Sequence, residues 1–467
     1  MIQISAEDLA HQLKAVAQIS AKLLLHPLTD MSDARADIQR LGVYLQACET
    51  KLIKLLNNEH PSETEPGASQ YGLALYILDT THPVLRRLLN FPESQITLDM
   101  LAQWDHVVSG AGVVDYDGSM IAKSKFGNLD AGWVTALVYY IALKPDVKEV
   151  SSWATFGTTP AIVSPSGDTI KIAVIGDWGT GPWTDGSIDC PALEVINQVK
   201  TLAPDYTIHL GDVYYAGTSG SFDSDEELSN FVNSWVSGSQ GSFMLNSNHE
   251  MYSGAQGFFG KGLKAEPFAQ QQNTSYFAIQ SDKWIIIALD TAYYDMSDLF
   301  MNGALTDANQ INFIKSLNTT GKTVIVMTHH NPTNIDGTGT IGLPLWNQVI
   351  SALGKPPEFW YWGHVHNAMV YSDNSFPAQN GVKARCAGHA AIPFGLAYGL
   401  QNSDGSNKPS VEYYAHELLS SVYENTDAQQ ANRVLNGFAM LTLGPDSISE
   451  EFIDQTGAVR WSSTTAL

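Results

Sequence analysis

The feature that most constrains this chain is a series of short apolar runs, each ending in residues able to bind a metal or carry a proton. Ile170 to Ile175 precedes Gly176-Asp177, and Tyr206 to Leu210 precedes Gly211-Asp212. Phe243 to Leu245 precedes Asn246, and Trp284 to Leu289 precedes Asp290. Val324 to Met327 precedes Thr328-His329, and Phe359 to Trp362 precedes Gly363-His364. Short runs with no polar alternation predict strands buried on both faces. Helical stretches such as Pro191 to Leu202 and Asp307 to Leu317 lie between several of them. That order predicts an α/β sheet, and open α/β sheets build their sites at the C-terminal ends of strands. The tail from Gly437 to Trp461 alternates in period two and reads as closing strands of the same domain.

A chain of 467 residues has room for two or three domains at about 150 residues each. Residues 1–165 are expected to form a mainly helical N-terminal domain. Its second helix would carry a seam of Ile38, Leu41, Leu45, Cys48, Leu52 and Leu55. Pro61 to Gly67 reads as a loop, and 70–150 as more helix than strand. Residues 166–467 would form the catalytic domain. The 25 basic against 48 acidic residues give a net charge of −23. Such a surface repels phosphate backbones and anionic lipid, so no nucleic-acid and no membrane partner is expected. An anionic substrate then needs a local positive charge, which a metal would supply. Cys48, Cys190 and Cys386 form no disulfide framework. Met1 to Asp8 has no leader pattern, and Trp133 to Leu143 is too short to span a bilayer. The expectation is a cytoplasmic protein.

Seven of the 13 histidines fall between residues 209 and 389, among the Asp and Asn residues already noted. Oxygen and imidazole donors together suit Fe, Mn or Zn. Two such ions about 3.5–4 Å apart would clamp a phosphoryl group and activate a water.

Five motifs then occur in one order: Gly176-Asp177-Trp178-Gly179, Gly211-Asp212-Val213-Tyr214-Tyr215, Asn248-His249-Glu250, Val326-Met327-Thr328-His329 and Gly363-His364-Val365-His366. From about residue 168 to 460 the chain resembles the calcineurin-like metallophosphoesterase superfamily, and more closely its purple acid phosphatase branch. The resemblance implies a four-layer α/β/β/α sandwich. It implies a binuclear hydrolase of phosphomonoesters in which a metal-bound hydroxide attacks phosphorus. The wider superfamily opens with Asp-x-His, but Gly179 stands at the second ligand position. The purple acid phosphatases fill that gap with a tyrosine three residues after the bridging aspartate, where Tyr215 sits. By position, Asp177, Tyr215 and His366 would hold the first metal, Asp212 would bridge, and Asn248, His329 and His364 would complete the second. A phenolate favours Fe(III) first, with Fe, Zn or Mn second. His249 matches the family's proton-donating or phosphate-orienting histidine, Glu250 would orient it, and His330 is a second candidate for touching a small phosphorylated substrate. Ser247 replaces the glycine usual before Asn-His.

Several of these residues also have plainer readings. His209 is expected to be a hydrogen-bonded core histidine, and Asp290-Thr291 a supporting turn. His389 reaches the site or caps a loop, and Tyr215 could pack over the metal without binding it. Two other functions fit the same motifs: a phosphodiesterase acting on a nucleotide or lipid headgroup, and a metal-bound scaffold whose helical domain binds a partner.

Overall fold

The computed structural model describes residues 159–183, 190–220, 225–419 and 433–467, with positions 113–114, 118, 120–121, 126 and 136 before them. The expected helical pair before residue 57 and the 61–67 loop lie outside the described residues, as does most of 70–150. Within that last stretch, β1 (Val113–Val114) pairs antiparallel with β2 (Met120–Ile121).

Two sheets carry the rest. One has six strands in the order β16-β15-β14-β4-β5-β6. Its members are β4 (Ile170–Ile175), β5 (Tyr206–His209), β6 (Gly241–Met244), β14 (Gly437–Leu443), β15 (Ser447–Asp454) and β16 (Val459–Ala466). The other has eight, in the order β13-β11-β12-β10-β9-β8-β7-β3. Those are β3 (Ile162–Val163), β7 (Phe277–Gln280), β8 (Trp284–Leu289), β9 (Thr323–Thr328), β10 (Phe359–Trp362), β11 (Ala368–Tyr371), β12 (Lys383–Ala387) and β13 (Val411–Tyr414). The strands β4-β5-β6 and β8-β9-β10-β12 run parallel.

Period two explains why most residues of these strands are buried on one face or the other. Ile172 and Val174 of β4 face a core shared with Ile286, Met327 and Tyr361 of the other sheet. Ala173 and Ile175 point the opposite way, onto Val195 and Val199 of α1 (Pro191–Leu202). On the eight-stranded sheet, Ile285, Val326 and Trp362 face outward, onto Phe313 of α4 (Ala308–Ser316) and Val349 of α5 (Leu345–Leu353). The short helices α2 (Asn248–Met251) and α3 (Gln256–Gly260) come between these in the chain. The result is the expected α/β/β/α sandwich. Arg385 of β12 crosses between the sheets to Glu450 of β15 with two bonds, 2.8 and 3.1 Å, and Tyr361 donates to the same carboxylate. Among the described residues no helix is long and apolar enough to cross a membrane.

Candidate metal centre

The turns after β4, β5, β9 and β10 converge at one edge of the two sheets. Asp177, Asp212 and His364 adopt positive φ values of 58°, 77° and 64°. L-residues pay for that region, and three such residues among the metal-binding candidates mark a site that overrides local preference. His364 N–H donates to Asp177 Oδ2 at 2.9 Å, which joins the two sheets directly.

Two groups of donor atoms form there. In the second, His329 Nε2 lies 2.8 Å from Asn248 Oδ1 and 3.2 Å from Asp212 Oδ1. His364 Nδ1 lies 3.1 Å from the same Asn248 oxygen. The amide is set by its other end, since Asn248 Nδ2 donates to Tyr252 Oη at 2.9 Å. His329 Nδ1–H donates to the Leu210 carbonyl at 2.9 Å, so the lone pair of Nε2 faces the group. Burial holds the His329 imidazole down to about 3 and His364 well below its ordinary value, which keeps both neutral and able to bind a metal.

In the first group, Tyr214 Oη donates to Asp212 Oδ2 at 3.0 Å and lies 3.4 Å from Asp177 Oδ1 and 3.1 Å from His366 Nε2. His366 Nε2 is 3.7 Å from Asp177 Oδ1. Asp212 thus turns one oxygen to each group. Burial and Asp212 push the Asp177 carboxyl up. Burial also works to raise Asp212, but His249, His329 and His366 hold it well below the usual carboxylate range. Burial, Asp212 and Asp177 push the Tyr214 phenol up. Two adjacent buried carboxylates with a phenol between them form an environment that a cation relieves. Donor separations near 3 Å are what ligands about 2.1 Å from one ion present to each other, so the residues fit a pair of ions.

Tyr214, the neighbour of the expected Tyr215, brings its hydroxyl to this corner. Tyr215 stacks on Phe126 at 4.7 Å. Its N–H donates to Glu226, and its carbonyl accepts from His249 Nδ1 at 2.8 Å. That carbonyl, rather than Glu250, orients the imidazole. His249 Nε2 then faces Asp212 Oδ2 at 3.9 Å. Burial lowers the His249 pKa.

Glu250 approaches Ser247 Oγ, which also lies 2.5 Å from Asp212 Oδ1. One hydroxyl proton cannot serve two carboxylates. Burial and Asp212 push the Glu250 carboxyl up to about 8, which favours a shared proton among Glu250, Ser247 and Asp212. His330 lies beside the second group. Thr291 Oγ1 sits 2.8 Å from its Nδ1, and its Nε2 meets the Phe300 carbonyl at 2.7 Å. Both ring nitrogens are therefore engaged, although they lie close to those of His329 and His364.

The remaining residues fall as follows. His209 is fully buried and stacks on Phe231 at 4.3 Å, but among the described residues neither ring nitrogen has a partner, unlike the hydrogen-bonded core histidine expected. Asp290 accepts from the Ala292 and Tyr293 N–H groups, as a supporting turn should. His389 packs beside Phe394 and Phe452. A cavity of about 550 Å³ opens beside Asp290 and Asp307. Its carboxylates are committed to the turn and to the cap of α4.

Residues 170–368 match the calcineurin-like phosphoesterase family. The matched stretch holds every donor named above, including two groups of side chains that could hold a metal ion. Solved structures similar to the chain include GAP50, the anchor in the inner membrane complex of Plasmodium, 12% identical with a TM-score of 0.41. That likeness covers 64% of this chain and 90% of GAP50. PhoD is 11% identical with a TM-score of 0.39, covering 66% of this chain and 70% of its own. A comparison with curated proteins finds no match.

Proposed function

We propose that the protein hydrolyses phosphomonoesters at a two-metal centre, in the manner of the purple acid phosphatases. The reading rests on Asp212, whose two oxygens face different donor groups. Asp177, Asp212, Tyr214 and His366 would hold the first ion, and Asp212, Asn248, His329 and His364 the second. When bound, the pair supplies Lewis acidity to the phosphoryl oxygens and acidifies a water.

The chain's own residues do the rest. His249 keeps its Nδ1 proton on the Tyr215 carbonyl, which leaves Nε2 on the site side. Protonated there, it hands a proton to the departing alkoxide, and burial eases that release. Ser247 and Glu250 hold Asp212 in place. A phenol oxygen is a hard donor, so Fe(III) is proposed for the first position and Fe, Zn or Mn for the second. A net charge of −23 disfavours polyanions, and a small phosphorylated molecule is the proposed substrate.

The test is metal content and p-nitrophenyl phosphate turnover after reconstitution with Fe, Mn and Zn. Protein that takes up no transition metal and shows no turnover would reject the reading. Faster turnover of bis-p-nitrophenyl phosphate would move the substrate to diesters. His249→Ala should lower kcat by about 10²–10⁴-fold with metal content intact.

A further inference from the structure

Phe126, from the N-terminal region, is 2% exposed and stacks on Tyr215. It also lies 5.6 Å from the Tyr214 ring and edge-on to Trp183 at 5.4 Å, and Ile392 completes the cluster. Gly118 makes a second anchor. Its carbonyl accepts from Gly395 N–H at 2.5 Å. Its φ is +91°, and a Cβ there would lie 2.6 Å from Gly395 O and 3.2 Å from Asn367 Nδ2. Asn367 directly follows His366. The loop holding Gly395 also donates to the Asp177 carbonyl, from Ala391 and Ile392 at 3.2 and 3.3 Å. Ala136, also 2% exposed, belongs to the core that contains Ala173, Ile175 and Trp178.

We propose that Gly118 and Phe126 form a wedge that positions Tyr214, which makes these two residues of the N-terminal region components of the catalytic unit. The inference rests on the placement of Tyr214 at the first metal position. The Tyr214 ring has Phe126 at 5.6 Å and His249 at 4.6 Å. Where the ring sits decides where its hydroxyl points. Loss of Phe126 removes an aromatic wall and leaves space into which both tyrosines can turn. Phe126 touches no proposed reacting atom; it is a positioning residue.

The experiment uses the full chain as Phe126→Ala, Phe126→Leu and Gly118→Ala. Amide hydrogen exchange is measured on metal-free protein, and iron binding is followed through the tyrosinate band. Phe126→Ala should speed exchange in residues 212–218 by about tenfold while β9 and β10 keep their protection. It should also weaken first-site metal binding by about 10–100-fold, the loss usual when a ligand's support is removed. Phe126→Leu should recover part of both. Gly118→Ala leaves Phe126 intact but forces the segment away from Gly395, and should give the same exchange pattern. Wild-type protection of 212–218 in Phe126→Ala or Gly118→Ala overturns the proposal. Should Phe126→Ala fail to fold, the same comparison on Phe126→Leu decides. Wild-type protein that binds no metal would refute the functional reading alone, because the exchange result is obtained without metal.

Discussion

Gly179 stands where the wider superfamily places a histidine ligand, and the structure explains why no side chain fits. Its N–H donates to the Asp212 carbonyl at 3.1 Å. A Cβ there would lie 2.6 Å from Asp212 O and 2.6 Å from Val213 Cα. Carbon atoms pack at about 3.5–4.0 Å, so Gly179→Ala must push this backbone back by about 1 Å. The backbone that moves carries Asp212, the residue shared by both donor groups. A displacement of about 1 Å at a catalytic group can cost about 100-fold in rate, or about 2.7 kcal/mol of barrier. Overpacking should also remove about 1–3 kcal/mol of stability. The assay is kcat for p-nitrophenyl phosphate with metal content measured on the same sample, beside thermal unfolding. A Gly179→Ala protein within threefold of wild-type kcat and with an unchanged Tm would refute the reasoning.

Three further expectations follow from particular contacts. Tyr214→Phe should weaken first-site metal binding and abolish a tyrosinate–iron band more completely than Tyr215→Phe; the reverse order would return the ligand role to Tyr215. Glu227 is fully buried with both carboxylate oxygens unpartnered among the described residues, and burial, then Glu250, Asp225 and Glu226, pushes it well above its ordinary 4.5. A carboxyl raised on folding contributes stability that is complete below about 4.5 and lost as pH rises through the folded value. The Tm advantage of Glu227→Gln over wild type should therefore grow between pH 5 and pH 8, and an equal difference at both would show that Glu227 does not titrate there. Glu450→Gln leaves the Arg385 guanidinium buried opposite a neutral amide. It should cost about 3–5 kcal/mol in denaturant unfolding, and more than Arg385→Met with Glu450→Leu combined. A single-mutant loss below about 1 kcal/mol would contradict that account of the pair.

The α/β sheet was readable because burial on both faces leaves a direct mark in composition, whereas the four-layer sandwich came from the family resemblance. A strand between two apolar layers has no polar alternation, and β4, β8, β9 and β10 have none. The period-two tail was equally legible for a different reason, since β16 keeps one face exposed. Asp177, Asp212, Asn248, His329, His364 and His366 each follow a strand or lie within a few residues of one, and the family resemblance assigned them as ligands. The resemblance pointed to Tyr215, but the hydroxyl beside Asp212 is that of Tyr214. Adjacent residues of one type are equivalent in sequence, and which ring turns inward depends on the backbone path after Asp212 and on the packing of Phe126, about 90 residues away. Ser247 was visible only as a departure from a glycine; its place between two carboxylates needed Glu250 folded back by α2. His330 stood beside His329 as an apparent partner, but Thr291 and the Phe300 carbonyl, both distant in sequence, had already taken its nitrogens. Alternation and strand ends are local and survive in one dimension. Hydrogen-bond partners, ring stacking and the direction of a side chain come from residues brought together only when the two sheets close on each other.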